Sequence, residues 1–166
     1  MNTVIKYSFC LLLGSLGMNH SLHAQMFTRS ATFNVQEATM ITQFPGVQGS
    51  PVVETWTLTM KFKKATSFLA DSAWAGGKAD RLFLDREDGK EWTGKAAKGD
   101  VIRLTLHLYT STAEPGTPGF EGSAGSIVCN PPMKHQGKIL FRYGFNDLRY
   151  YFSQSAVTRQ KPVYAP

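Results

Sequence analysis

The feature of this sequence that most constrains its fold is an alternation of apolar and polar residues with a period of two. It is clearest from Val53 to Lys63, where threonine and lysine separate four apolar side chains, namely Trp56, Leu58, Met60 and Phe62. Successive side chains on a β-strand point to opposite faces, so this pattern predicts a strand with one buried and one solvated face. A second such strand is predicted from Val101 to Tyr109, with four inward-facing residues, namely Ile102, Leu104, Leu106 and Leu108.

The dipeptide Asp88-Gly89 predicts a hairpin, because its residues suit a two-residue turn that requires positive φ. A hairpin centred there would bring together three cross-strand pairs: Arg86 with Glu91, Glu87 with Lys90, and Leu84 with Trp92. Two of these pairs join opposite charges, which stabilises neighbouring strands.

A second hairpin is predicted at Asn146-Asp147, because both residue types tolerate left-handed backbone geometry. The register of this hairpin places three apolar pairs opposite each other: Phe145 with Leu148, Tyr143 with Tyr150, and Phe141 with Phe152. All six side chains then fall on one face. The turn and the two strands therefore predict the same hairpin.

The remaining segments carry weaker signals. We expect an N-terminal strand from Ala31 to Phe44 with a break near Glu37-Ala38, followed by a loop at residues 45–51. The run from Ser67 to Trp74 fits either a strand or a helical turn. Residues 110–125, rich in glycine and proline, are expected to be an irregular loop, and the tail from Arg159 onward is expected to be frayed.

About seven short strands joined by Gly- and Pro-rich connections are typical of an all-β domain. We therefore predict a single antiparallel β-sandwich over residues 25–166, immunoglobulin-like or jelly-roll-like in shape. The alternative is a closed up-and-down β-barrel, which would enclose a cavity for a small ligand where the sandwich is filled by aromatic side chains.

The first 24 residues have the composition of a secretory signal peptide. Lys6 supplies a positive charge, residues 7–18 form a short apolar run, and Ala24 precedes a plausible cleavage site. The apolar run is shorter than the ~20 residues that a membrane-spanning helix needs. We therefore expect a secreted or periplasmic protein, cleaved near Ala24, with no transmembrane span.

Charge and cysteine content narrow the function classes. The formal net charge of +6 is a mild excess, and its basic residues are spread singly along the chain, so no nucleic-acid partner is expected. Cleavage would remove Cys10 and leave Cys129 alone, which excludes an internal disulfide. Because residues 126–129 form an apolar run that ends at Cys129, we expect that thiol to be buried.

No catalytic, metal or cofactor site is predicted. His135 follows Cys129 across two prolines that give no reason for the imidazole to approach the sulfur, and the only other histidine beyond the signal segment is His107. Residues 85–91 resemble a calcium loop only superficially, because Gly89 occupies a ligand position. We also find no Gly-x-Ser-x-Gly elbow.

Binding is therefore the leading hypothesis: a non-enzymatic domain that recognises a protein or envelope component outside the cytoplasm. A carbohydrate-binding module and a barrel carrying a small ligand are the alternatives. The last predicted hairpin places Arg142, Arg149 and Tyr151 on the face opposite its aromatic stripe. A tyrosine ring beside guanidinium groups suits a sugar ring or an anionic group, so these three residues are the candidate ligand-binding site.

Overall fold

The structure, a computed structural model, describes residues 25–47, 50–110, 127–145 and 148–165. Those residues form β-strands and connecting segments and contain no helix, so the predicted all-β class is confirmed. The strands are β1 (Gln25–Phe27), β2 (Phe33–Phe44), β3 (Val52–Phe62), β4 (Thr66–Ser67), β5 (Leu69–Ala75), β6 (Lys78–Arg86), β7 (Lys95–Ala96), β8 (Val101–Thr110), β9 (Ile127–Val128), β10 (Ile139–Phe145), β11 (Leu148–Gln154), β12 (Thr158–Arg159) and β13 (Val163–Tyr164).

Most of these strands belong to one long mixed sheet. Its order is β1-β11-β10-β5-β6-β8-β3-β2-β12, with β9 paired to β6 and β13 paired to β2, while β4 and β7 pair separately. Three short pairs are parallel, β1 with β11 and both β12 and β13 with β2, whereas the long pairs are antiparallel. The prediction of a purely antiparallel sheet is therefore wrong at the two edges, where short segments near the described chain ends add on.

The sheet is open, so the closed up-and-down barrel is also wrong. Among the described residues, no strand at the β1-β11 end pairs with a strand at the β2-β12 end. Strand β6 changes partner along its length, since it pairs with β5 up to Arg81 and with β8 from Leu82. The two parts of the sheet diverge at this point and enclose a common core.

The two strongest strand predictions are confirmed. β8 covers its predicted span and β3 covers all of its predicted span except Lys63, and every side chain assigned to their inner faces is buried. The predicted break in the N-terminal strand is also present, because the register of β2 against β3 shifts between Val35 and Glu37. The ambiguous run from Ser67 to Trp74 is resolved as a strand, most of it in β5.

The predicted register of the last hairpin is confirmed pair by pair. Phe145 pairs with Leu148, Tyr143 with Tyr150 and Phe141 with Phe152, although the turn residues 146–147 lie outside the described part. Phe141, Tyr143 and Phe152 are buried in the core. Leu148, in contrast, is 47% exposed, so the apolar face of the hairpin extends past the edge of the core.

The predicted hairpin at Asp88-Gly89 is only partly correct. Gly89 does adopt positive φ, at 73°. However, β6 ends at Arg86, and residues 90–94 form no strand. Arg86 pairs with Asp88 and Asp100 and not with the predicted Glu91.

Two further expectations about the C-terminal half are wrong. The tail from Arg159 is not frayed, because β12 and β13 pair with the edge of β2, whose outward backbone groups need partners. Cys129 is exposed and not buried, because the chain leaves the sheet after Val128, which is itself 85% exposed. The predicted loop at residues 110–125 lies almost entirely outside the described residues.

The core consists of aromatic and aliphatic side chains from both parts of the sheet. Phe33 of β2 lies near its centre, with ring centroids 5.1 Å from Phe152 and 5.7 Å from Tyr143. The β2 end of the sheet therefore packs against the β10-β11 hairpin at the opposite end.

In the described residues, no helix is long and apolar enough to cross a membrane.

Candidate functional site

The structure brings together two of the three residues predicted to bind a ligand. Arg142 and Tyr151 are direct partners across the β10-β11 hairpin, and Arg149 lies further along β11, opposite Gly144. Arg142 is not free to bind an anion, since its Nε and Nη2 donate to the two carboxylate oxygens of Asp71 at 2.8 and 2.9 Å. Its guanidinium is thus already matched by a carboxylate of the same chain.

The Asp71 carboxylate is stabilised in its charged form. Burial alone would raise the pKa of Asp71, but the hydrogen bonds and charge of Arg142, the Ser72 hydroxyl and the charge of Arg149 together lower it below 3.8. Arg149 therefore contributes to the same charge cluster without a direct contact. These interactions hold β5 and β10 together, and they already use the hydrogen-bonding groups of Arg142 that a ligand would need.

Tyr151 lies in a small apolar cluster outside the main core. It is only 7% exposed and forms this cluster with Trp74 and Leu140, and Met133 from the segment between β9 and β10 packs against the cluster. The ring centroids of Trp74 and Tyr151 are 6.1 Å apart. A sugar cannot stack on a ring that is covered in this way, so the arrangement does not support Tyr151 as a glycan platform.

The candidate thiol of Cys129 and the imidazole of His135 lie in the same segment between β9 and β10, whereas His107 lies on a different element. Cys129 follows β9, and its Sγ donates to the carbonyl of Asn130 at 3.4 Å. His107 lies on β8, where its Nδ1 is 3.0 Å from the Thr55 hydroxyl and its ring is 5.6 Å from that of Phe83. Within the described residues, no three His, Cys, Asp or Glu side chains are placed to hold a metal ion.

A more accessible site lies beside the C-terminal half of β6, and we call it the β6 groove. It has a volume of about 570 Å³, within the ~300–1,000 Å³ that ligand pockets span. Residues 82–85 form one side and residues 89–92 form the other. Phe83 is 55% exposed there, which is unusual for a phenylalanine in a central strand.

The backbone along this side of β6 is open. The strand order places β5 and β8 on opposite sides of β6, and β5 stops pairing at Arg81. From Leu82 to Arg86, β8 is the only described strand that pairs with β6. The N–H and C=O groups on the other side of this stretch are thus without a neighbouring strand in the described part of the chain.

The second wall of the β6 groove is the segment that follows β6. Trp92 in this segment packs against Phe68, which immediately precedes β5, so the wall lies on the β5 side of β6. Leu84 and Trp92, predicted to be neighbours across a hairpin, do line the same groove. Asp85, Lys90 and Glu91 add charges of both signs to its rim.

Arg86 fixes the position of that wall. Its Nε and Nη2 donate to Asp88 at 2.9 and 3.0 Å, and its Nη1 donates to Asp100 at 2.8 Å. The hydrogen bonds from Arg86, helped by backbone N–H groups of Lys90 and Ala97, hold the pKa of both carboxyl groups below 3.8. Arg86 therefore ties the turn after β6 to the start of β8.

The β6 groove is not among the sites that the sequence predicts. One signal was present, because the consecutive apolar residues Leu82, Phe83 and Leu84 break the alternation of β6 and force one of them outward. The divergence of β5 from β6, which opens the groove, has no such signal.

Comparison of the chain with protein-family models, curated proteins and solved structures finds no match.

Proposed function

We propose that this protein is an exported, non-enzymatic domain that binds an extended segment of a protein partner in the β6 groove. Export is inferred from the signal-like composition of residues 1–24. We further propose that the two diverging parts of the sheet form a β-sandwich of the immunoglobulin-like or jelly-roll-like kind. The observation that carries the binding proposal is an open strand edge that faces a groove lined by the exposed Phe83 and the partly buried Trp92.

An open edge of this kind suits recognition by strand addition. In that mode, main-chain hydrogen bonds supply affinity while pockets select alternate side chains of the peptide. Residues 82–85 of β6 offer an edge of roughly 13 Å, enough for about four peptide residues. Phe83 and Trp92 both line the groove and would offer apolar surface to the side chains of the peptide.

The rim of the groove indicates the chemistry of the partner. Asp85 and Glu91 contribute two carboxylates, whereas Lys90 lies 3.5 Å from the Asp88 carboxylate and is partly neutralised. A peptide with an aromatic or branched apolar residue next to a lysine or arginine would complement this surface. We therefore propose an apolar-basic extended segment as the ligand class.

The test is a selection of random extended peptides against the purified protein, followed by affinity measurement with Phe83→Ala. Loss of an exposed aromatic anchor at the centre of a site should weaken binding about tenfold or more. The matched control is Leu148→Ala, which removes a similarly exposed apolar side chain from β11. Nuclear magnetic resonance should also detect peptide-induced shifts at the amides of residues 82–85.

Two results would refute the proposal. One is the absence of any reproducibly selected peptide, and the other is equal weakening by Phe83→Ala and Leu148→Ala. Because Phe83 is more than half exposed, its replacement should change the free energy of unfolding by less than about 1 kcal/mol. A loss of binding can therefore be separated from a loss of fold.

A further inference from the structure

At each edge of the long sheet, a short strand pairs with a strand that is distant from it in the sequence. β1 precedes β2 in the sequence, but it pairs with β11 at the opposite end of the sheet. β12 follows β11, but it pairs with β2. The chain thus crosses between the two sheet edges twice, through residues 28–32 and residues 155–157.

The C-terminal tail, residues 158–165, lies on the edge of β2 with little burial. All of its residues are exposed, including Val163 at 48% and Tyr164 at 71%. Backbone bonds from Gln160 to Met40 at 2.8 Å and from Ala165 to Phe44 at 3.0 Å hold it in place. Because so little apolar surface is buried, the hydrophobic contribution to holding the tail is small.

One side-chain contact adds to these backbone bonds. The ring of Tyr164 stacks on Phe44 with centroids 5.0 Å apart and planes 11° from parallel. The connection to β11 is anchored at Val157, which packs against the main core, whereas Ser155 and Ala156 are exposed. The tail is therefore a short strand with a solvent-exposed hinge.

We propose that the edge of β2 is a strand-accepting surface and that the C-terminal tail of a second copy of this chain occupies it by exchange. The occupant on this edge is the chain's own tail, so a second tail would fit with the same register and the same stacking on Phe44. An exchange of identical segments replaces each contact with an equal one, which makes it a low-cost route to a dimer. An uncovered β2 edge would in turn favour capture of a strand.

This surface is distinct from the β6 groove. β2 and β6 are separated in the sheet by β3 and β8. Exchange of the tail therefore neither requires nor excludes peptide binding beside Phe83, and the two proposals can fail independently.

The test uses cysteine pairs placed on separate chains. Thr39 and Thr158 are direct partners in the parallel ladder, so cysteines there lie at the separation that disulfides bridge. One full-length chain carries Thr39→Cys and another carries Thr158→Cys, both in a Cys10→Ser, Cys129→Ser background. Only a tail inserted in trans brings the two thiols together when the chains are mixed and oxidised.

The matched control replaces Thr158→Cys with Lys161→Cys, which places an equally exposed thiol on the tail between β12 and β13. We expect the Thr39–Thr158 combination to give the mixed disulfide dimer in several-fold higher yield, rising with protein concentration. Equal yields from the two combinations would overturn the proposal. So would sedimentation of the unmodified chain as a monomer at every concentration, or a dimer that forms without enrichment of the matched disulfide.

Discussion

At the scale of single residues, the alternation of a strand predicts which face a side chain points to, but it does not predict whether that side chain is exposed. The outer face of the β10-β11 hairpin shows this difference. Arg142 and Tyr151 point to the same side, as the alternation requires. The pattern predicts that this side is solvated, but Met133 packs against the cluster that contains Tyr151, and Asp71 pairs with Arg142. Asp71 is 71 residues away from Arg142 in the sequence, so no local pattern predicts this pair.

The Arg142–Asp71 pair gives a prediction for pH dependence. Because the folded-state pKa of Asp71 is lowered, the pair contributes stability that is fully present above the unfolded value of 3.8 and is lost as pH falls through the folded value. We expect Arg142→Leu to reduce the free energy of unfolding at neutral pH by about 1 kcal/mol, since the Asp71 carboxylate is more than half exposed.

Urea unfolding of wild type and Arg142→Leu between neutral and acidic pH measures this difference. It should be constant above about pH 5 and shrink as the solution becomes more acidic than about pH 4. Arg149→Leu is the control, because Arg149 acts on Asp71 only through its charge, and it should cost less than about 0.5 kcal/mol. A difference that stays constant down to the acid limit would contradict the assigned role of Asp71.

At the scale of elements, the sequence predicts a hairpin correctly where the turn residues and the cross-strand pairs indicate the same register. The β10-β11 register followed from aromatic pairs on both sides of a plausible turn. At Asp88-Gly89 only the turn was present, and the expected second strand did not form. The dipeptide Gly76-Gly77 is also a two-residue turn signal, and the residues that flank it, Ala75 and Lys78, pair with each other.

The Gly76-Gly77 turn gives a prediction for the β5-β6 hairpin. Both glycines have positive φ, 57° and 75°, which matches the two-residue turn preferred in hairpins. Gly77→Val should lower the free energy of unfolding by about 1–2 kcal/mol, because an L-residue with a branched side chain is strained there. Gly76→Asn should cost less than about 0.5 kcal/mol, because asparagine tolerates the left-handed region.

Denaturant unfolding of both variants measures the cost of backbone strain at the turn. A Cβ atom added at either glycine meets nothing within 4 Å, so we attribute the expected loss to the backbone conformation. Equal losses for the two variants would show that the turn conformation does not limit the stability of the hairpin.

At the scale of the whole molecule, the all-β class and the central antiparallel strands followed from periodicity, but the order of strands did not. β5 separates from β6 after Arg81, and β1 and β12 cross to opposite edges. Such choices depend on how the two parts of the sheet pack, because strands with the same alternation can pair with several neighbours. The β6 groove results from this divergence, which is why the site was not predicted with the fold.

Phe33 gives the last prediction, because it joins the two ends of an open sheet. Its ring lies within 6.3 Å of five others, from Phe62 on β3 and Phe68 to the β10-β11 hairpin. No described hydrogen-bonded ladder connects β2 to β11, so packing around Phe33 must hold these edges together. Phe33→Ala should cost about 3–5 kcal/mol in the free energy of unfolding, and Phe33→Leu should cost less because it leaves a smaller cavity.

Thermal and denaturant unfolding of these variants can be compared with Phe83→Ala, which removes the same side chain from an exposed position. If the core around Phe33 closes the sheet, its loss should also accelerate hydrogen exchange at amides of both β2 and β11, since either edge would then open more often. Exchange that increases in β2 alone would indicate that the two edges are stabilised independently. In that case Phe33 would stabilise only its own strand, and the open sheet would need another connection between its ends.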